Sequence, residues 1–193
     1  MANPKLLIIG HARHGKDTVA EILRDTHGYD FVSSSEFVAR EIIWDAWGAE
    51  RYDTFEEMFA DRVNHRAHWA DMITDYNTPD KTKTASTMLE RGHDMYVGMR
   101  RRDELEACIA ANIFDFIIWV DRSEHLPDEP AASMDLNDQD ATYHIDNNGT
   151  LEDLHEEVRL FVEANGRRFN GGRVSGGSYL VGDGPFGAEL VNQ

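Results

Sequence analysis

The stretch Gly10-His11-Ala12-Arg13-His14-Gly15-Lys16-Asp17-Thr18 limits what this chain can fold into more than any other part of it. It follows the spacing G-x-x-x-x-G-K, in which the glycines let the backbone curl until successive N–H groups face one anionic cluster. Its flanks fit that reading. Lys5–Ile9 is a short apolar run, as expected of a strand buried on both faces. From Lys16 to about Asp25, Val19, Ala20, Ile22 and Leu23 recur at helical spacing, and Gly28 closes the segment. A helix that opens at Lys16 points its positive N-terminus at the same anions. Strand, loop and helix in register therefore predict a phosphate cradle at the edge of an α/β sheet.

That cradle suits ATP. All of Gly10, His11, Ala12, Arg13, His14, Gly15, Lys16, Asp17 and Thr18 are candidate ATP-binding residues, with Lys16 placed to reach the β- and γ-phosphates and to stabilise charge as it moves in the transition state. Arg13 is a candidate for a second phosphate contact, and Thr18 can reach an α-phosphate. Asp17 departs from the pattern, since a Ser or Thr there normally contacts Mg²⁺; an Asp can hold the ion through a water. Mg²⁺ is expected only as the partner of ATP. No His, Cys and carboxylate spacing suggests a structural zinc site.

The rest of the chain alternates. Tyr29–Ser33 reads as a second strand, Glu36–Trp47 as a helix, Met95–Met99 as a third strand, Asp103–Ala111 as a helix, Phe116–Val120 as a fourth strand and Tyr143–Ile145 as a fifth. Thr54 with Glu57 makes a capping box for a helix expected to run unbroken to about Tyr76, with Phe55, Phe59, Val63, Ala70 and Ile73 as its core stripe. Thr78-Pro79-Asp80 then caps a helix ending near Gly92, and Thr150 caps another to about Ala164. Residues 121–142, acidic and interrupted by prolines, read as a mobile excursion. This alternation predicts a three-layer P-loop fold with a five-stranded, mostly parallel sheet. Residues 1–166 form one kinase-like domain and residues 167–193 a glycine-rich extension, expected to be irregular or a small hairpin.

Composition narrows the class. At 193 residues the chain is long enough for one substantial core, and no stretch approaches the ~20 apolar residues of a membrane span. Cys108 is the single cysteine, so no internal disulfide is available; with no leader in view at the N-terminus, a reducing, cytoplasmic setting is expected. The formal net charge of −17 opposes tight nonspecific binding to a nucleic-acid backbone, which needs clustered cations. Adaptation to high salt would produce the same acidity.

Gly15-Lys16-Asp17-Thr18 behind an apolar strand, together with Tyr96-Val97-Gly98-Met99-Arg100, resembles the phage deoxynucleoside monophosphate kinases in the nucleoside-monophosphate-kinase branch of P-loop proteins, and is similar also to the phage 5-hydroxymethyluracil DNA kinases. The resemblance spans about residues 4–165 and implies an ATP-dependent phosphotransferase, in the host cytoplasm if phage-encoded.

The acceptor is harder to read. In an open α/β sheet the reactants meet beyond the carboxyl ends of the strands, which brings in Ser33, Ser34, Ser35 and Glu36, then Arg100, then Asp121 and Arg122; Arg40, Arg62 and Arg66 stand on neighbouring helices. Ser35, Arg40, Arg62, Arg66, Arg100 and Arg122 are the substrate-binding candidates. Glu36 is the candidate base, because an alcohol acceptor is helped by a carboxylate that takes its proton whereas a phosphate acceptor is not. Residues 122–142 hold only Arg122 as a cation and are otherwise acidic, unlike the arginine-rich lids that clamp two nucleotides. That favours the hydroxymethyl group of 5-hydroxymethyluracil in DNA, flipped from the duplex and stacked on Trp69, Trp44 or Phe37. The charge of −17 favours a free dNMP instead. A non-catalytic ATP-binding module is the third reading, supported only by Asp17.

Overall fold

In the computed structural model, residues 3–169 are described, and the expectations for the glycine-rich extension from residue 170 onward lie outside them. The core is a parallel sheet of β1 (Leu6–Ile9), β2 (Met95–Val97), β3 (Phe116–Asp121) and β4 (Tyr143–Asp146), in the order β2-β1-β3-β4. Leu6 pairs with both Met95 and Phe116, and Ile118 with Tyr143, so β1 and β3 are the interior strands. Side chains of a strand point alternately to opposite faces, and β1 shows why a continuous apolar run was needed. Leu6 and Ile8 join one core cluster and Leu7 and Ile9 the other.

The first cluster lies under α1 (Lys16–His27) and the C-terminal helix Leu151–Phe169, through Val19, Leu23, Leu154, Val158 and Phe161. On the opposite face, the chain after α1 builds a larger layer. It begins with α2 (Ser34–Val38), capped by Ser33 Oγ accepting from the N–H of Glu36. This helix continues through a π turn at Ala39–Ile43 into α3 (Trp44–Ala46), so the single helix expected over Glu36–Trp47 is real but bulged at Arg40. Then follow α4 (Phe55–Ala60), α5 (Arg66–Asn77), α6 (Lys83–Glu90) and α7 (Arg102–Ala110); α8 is the C-terminal helix. The three layers are thus helices, sheet and helices.

Two expectations are corrected. The sheet has four strands among the described residues rather than five: Tyr29–Ser33 is not a strand, and its contact with the sheet is at Asp30, whose carbonyl accepts from the N–H of Asp94 while its own N–H goes to the Asp94 side chain. A side-chain carboxylate has replaced the next ladder bond. The long helix from Thr54 is also broken. A 3₁₀ turn at Asp61–Asn64 separates α4 from α5, and His65 before α5 is non-helical. Tyr52 Oη donates to Asp61 Oδ2 at 2.6 Å, and His65 Nε2 lies 3.0 Å from the same carboxylate oxygen, so this side-chain network holds the break. Val63 and Ala70 consequently face solvent, and Met58 and Trp69 take the buried positions instead.

Candidate functional site

The loop Gly10–Thr18 curls between β1 and the start of α1. Gly10 has φ 145° and Gly15 φ 96°, values that L side chains rarely adopt, and Arg13 is left-handed at φ 67°. At Gly10 the lack of a side chain also permits close approach, since a Cβ there would lie 2.5 Å from the carbonyl oxygen of Val120 in β3. Lys16 is buried, and its Nζ donates to the carbonyl of His11 at 2.7 Å. Burial, with Arg100 as the next cause, pushes its pKa down to about 8. Asp17 and Arg13 are exposed; Asp17 stands in the first turn of α1, where a carboxylate complements the helix dipole.

The loop is braced from behind. Asn147, buried just past β4, donates from Nδ2 to the carbonyl of His14 at 2.9 Å. His14 Nδ1 accepts from the N–H of Arg122 at 3.1 Å, which places the ring proton of the neutral tautomer on Nε2. Burial first, then His11, lowers the His14 pKa and keeps that tautomer neutral. The guanidinium of Arg122 donates to the Asn147 carbonyl at 2.6 Å. Arg122, expected on the acceptor side, is therefore engaged in bracing the loop.

In front of the loop the segment after β3 returns across it. Glu129 Oε2 accepts from the N–H of Ala12 at 2.6 Å, and Oε1 accepts from Arg100 Nη1 at 2.7 Å. The N–H of Glu129 donates to His11 Nδ1 at 3.1 Å, and Asp128 lies 3.3 Å from His11 Nε2. Burial would raise the Glu129 pKa, but the Arg100 bond and charge, the Ala12 N–H and Lys16 outweigh it and hold the carboxyl below its usual range. The expected excursion is thus tied down at several points. Met134 and Leu136 are buried, and Arg102 grips Asp140 and the Asp135 carbonyl.

Of the acceptor-side candidates, the structure brings some to the loop and not others. Gly98, at φ 91°, lies where a Cβ would be 3.7 Å from Ser34 Oγ and 4.0 Å from Lys16 Cε, so Ser34 and Lys16 converge on one backbone position. Arg100 is tied to the loop through Glu129, which also accepts from the N–H of Ala12. Ser35 Oγ is 3.3 Å from Ser33 Oγ at the start of α2. Glu36 is paired with Arg40 at 3.0 Å, and the Arg40 guanidinium lies 3.9 Å from the centre of the Phe55 ring. Arg62 stands over Phe59 and donates to its carbonyl. Arg66 opens α5, beyond the break, and does not share one continuous helix with Arg62. Phe37 and Trp69 belong to the core, with Trp44 packed edge-on against Phe55.

Sequence reasoning missed Asn147, Ser34 as distinct from its neighbours, and above all Glu129. Asn147 had a usable signal, its position at the carboxyl end of a strand. Glu129 had none, because 117 residues separate it from Ala12.

No family model matches the sequence, and no curated protein matches it. Among solved structures, the crystal structure of TT1252 from Thermus thermophilus is similar, with a TM-score of 0.44 and 16% identity, covering 85% of this chain and 98% of that one. Among the described residues, no helix is long and apolar enough to cross a membrane.

Proposed function

We propose that this chain is an ATP-dependent phosphotransferase using Mg²⁺ as the partner of its nucleotide. The observation that carries the reading is the loop Gly10–Thr18, curled between β1 and α1 with Lys16 buried behind it. In this reading the loop N–H groups and the N-terminus of α1 cradle the β- and γ-phosphates. Lys16 swings from the His11 carbonyl to the transferring phosphoryl group and offsets its charge. Asp17, exposed in the first turn of α1, would hold the metal ion, which would offset charge on the phosphates. The acceptor enters beside Gly98, between Ser34 and Arg100.

For the acceptor, the side chains favour an anion. Arg100 already binds a carboxylate next to Lys16, and Glu36 is committed to Arg40, so the group suited to an oxyanion is better placed than the base an alcohol would need. A deoxynucleoside monophosphate is therefore the first reading. The hydroxymethyl group of 5-hydroxymethyluracil in DNA is the second. It is favoured by the segment between β3 and β4, whose only arginine, Arg122, is occupied by Asn147 and not free to clamp a second nucleotide.

Incubation with ATP labelled on its γ-phosphate, together with each dNMP or with hydroxymethyluracil-containing DNA, separates the readings. Label on a dNMP supports the first and label on DNA the second. Nucleotide binding without transfer to either would reduce the protein to a binding module.

A further inference from the structure

Glu129 occupies the phosphate cradle in the manner of the anion the cradle is built for. Its carboxylate takes the N–H of Ala12 at 2.6 Å and the guanidinium of Arg100 at 2.7 Å, two donors whose chemistry would equally suit a phosphate oxygen. Carboxylate and phosphate oxygens compete for the same donors, and each such charge-assisted bond is strong. We propose that Asp128-Glu129 is an autoinhibitory latch, in which the Glu129 carboxylate fills the terminal-phosphate end of the loop until a polyphosphate displaces it. The inference rests on the reading of Gly10–Thr18 as a nucleotide site.

The latch is held at the tip and anchored at both ends. At the tip, the Glu129 N–H goes to His11 Nδ1, and Asp128 approaches His11 Nε2 at 3.3 Å, so one loop histidine reads both residues. Pro130 follows directly and biases Glu129 toward an extended backbone. On one side the strap is anchored where the N–H of Arg122 meets His14; on the other, Met134 and Leu136 are buried and the N–H of Asp135 donates to the Arg100 carbonyl. The residues between these anchors can lift without opening either core cluster. The acidic segment pairs with Arg100 through Glu129, while Lys16 rests on the neutral carbonyl of His11.

A latch that must open reduces apparent affinity by the fraction of molecules already open. Glu129→Gln keeps the shape but weakens both contacts, and Glu129→Asp shortens the side chain so that it no longer spans Ala12 and Arg100. Titration calorimetry of the full chain with Mg·ATP and with tripolyphosphate should show both variants binding about tenfold tighter than the wild type. In the wild type, tripolyphosphate should speed amide exchange in the peptide around Glu129. Equal affinity in all three proteins, weaker binding by the variants, or no change in exchange at saturation overturns the latch while leaving the nucleotide site intact. No binding of either ligand by any of the three folded proteins would instead overturn the nucleotide reading, and the latch with it.

Discussion

Lys16 Nζ rests 2.7 Å from the carbonyl oxygen of His11, so the buried lysine is held on its own loop. A carbonyl is a weak partner for a buried ammonium, and the cost appears in the titration. Burial, helped by Arg100, brings the Lys16 pKa from 10.5 to about 8.

The pH dependence follows with a definite sign. Under the proposed function, phosphate binds the charged lysine, which predominates below about 8. Affinity for tripolyphosphate should hold below that value and fall as pH rises through it, by up to about tenfold per unit. Stability moves the other way. The folded-state pKa is depressed, so the charged lysine costs stability below about 8, and that cost is relieved as pH rises from about 8 to 10.5. Lys16→Met should therefore raise the melting temperature at neutral pH while abolishing tripolyphosphate binding. A variant that melts lower and still binds would refute the assignment.

Gly10 tests the cradle without touching a charge. Gly10→Ala combines φ 145° with a Cβ 2.5 Å from the Val120 carbonyl oxygen, and that atom belongs to an interior strand that cannot yield cheaply. The expected cost is on the order of 2 kcal/mol or more, read from urea unfolding. Gly28→Ala, with nothing near its would-be Cβ, should cost only the strain of its positive φ.

How much of this was legible beforehand depended on how local the cause was. Gly10, Gly15, Lys16 and the apolar run of β1 specify a strand, a tight turn and a helix through neighbours in sequence, and those elements form where expected. Thr54 capped α4 by the same logic, its Oγ1 accepting from the N–H of Glu57. The fifth strand failed because Asp94 offers a carboxylate to the N–H of Asp30, 64 residues away, in place of a ladder carbonyl. The unbroken helix failed because Tyr52, Asp61 and His65 form a side-chain knot where the local propensity still reads helical. Glu129 was invisible for the most general reason: its role is created only when the return path from β3 passes in front of the loop.

The break between α4 and α5 makes a contrast that a continuous helix would reverse. Met58 is fully buried and Val63 is 55% exposed, although helical periodicity from Thr54 puts Val63 on the core stripe. Met58→Ala should cost about 3 kcal/mol through lost transfer energy and the cavity left behind. Val63→Ser should stay within about 0.5 kcal/mol of the parent. Chemical denaturation of the two variants decides it, and a large loss at Val63 would restore the unbroken helix.

The brace behind the loop predicts a non-additive pair. A Cβ on Gly15 would lie 2.2 Å from Asn147 Nδ2, the atom that donates to the His14 carbonyl. Gly15→Ala alone must push that amide away and also suffers φ 96°, so it loses a buried hydrogen bond and gains backbone strain. Asn147→Ala alone removes the same bond, at a cost of about 1–2 kcal/mol for a buried carbonyl left without its partner. In the double variant the clash is gone and the bond cannot be lost twice, while the strain at residue 15 remains. The double variant should therefore be more stable than the sum of the singles predicts, by about 1 kcal/mol in a cycle of unfolding free energies. Strict additivity would mean that the loop and the end of β4 are held independently, and the Asn147 amide would lose its place as the brace of the cradle.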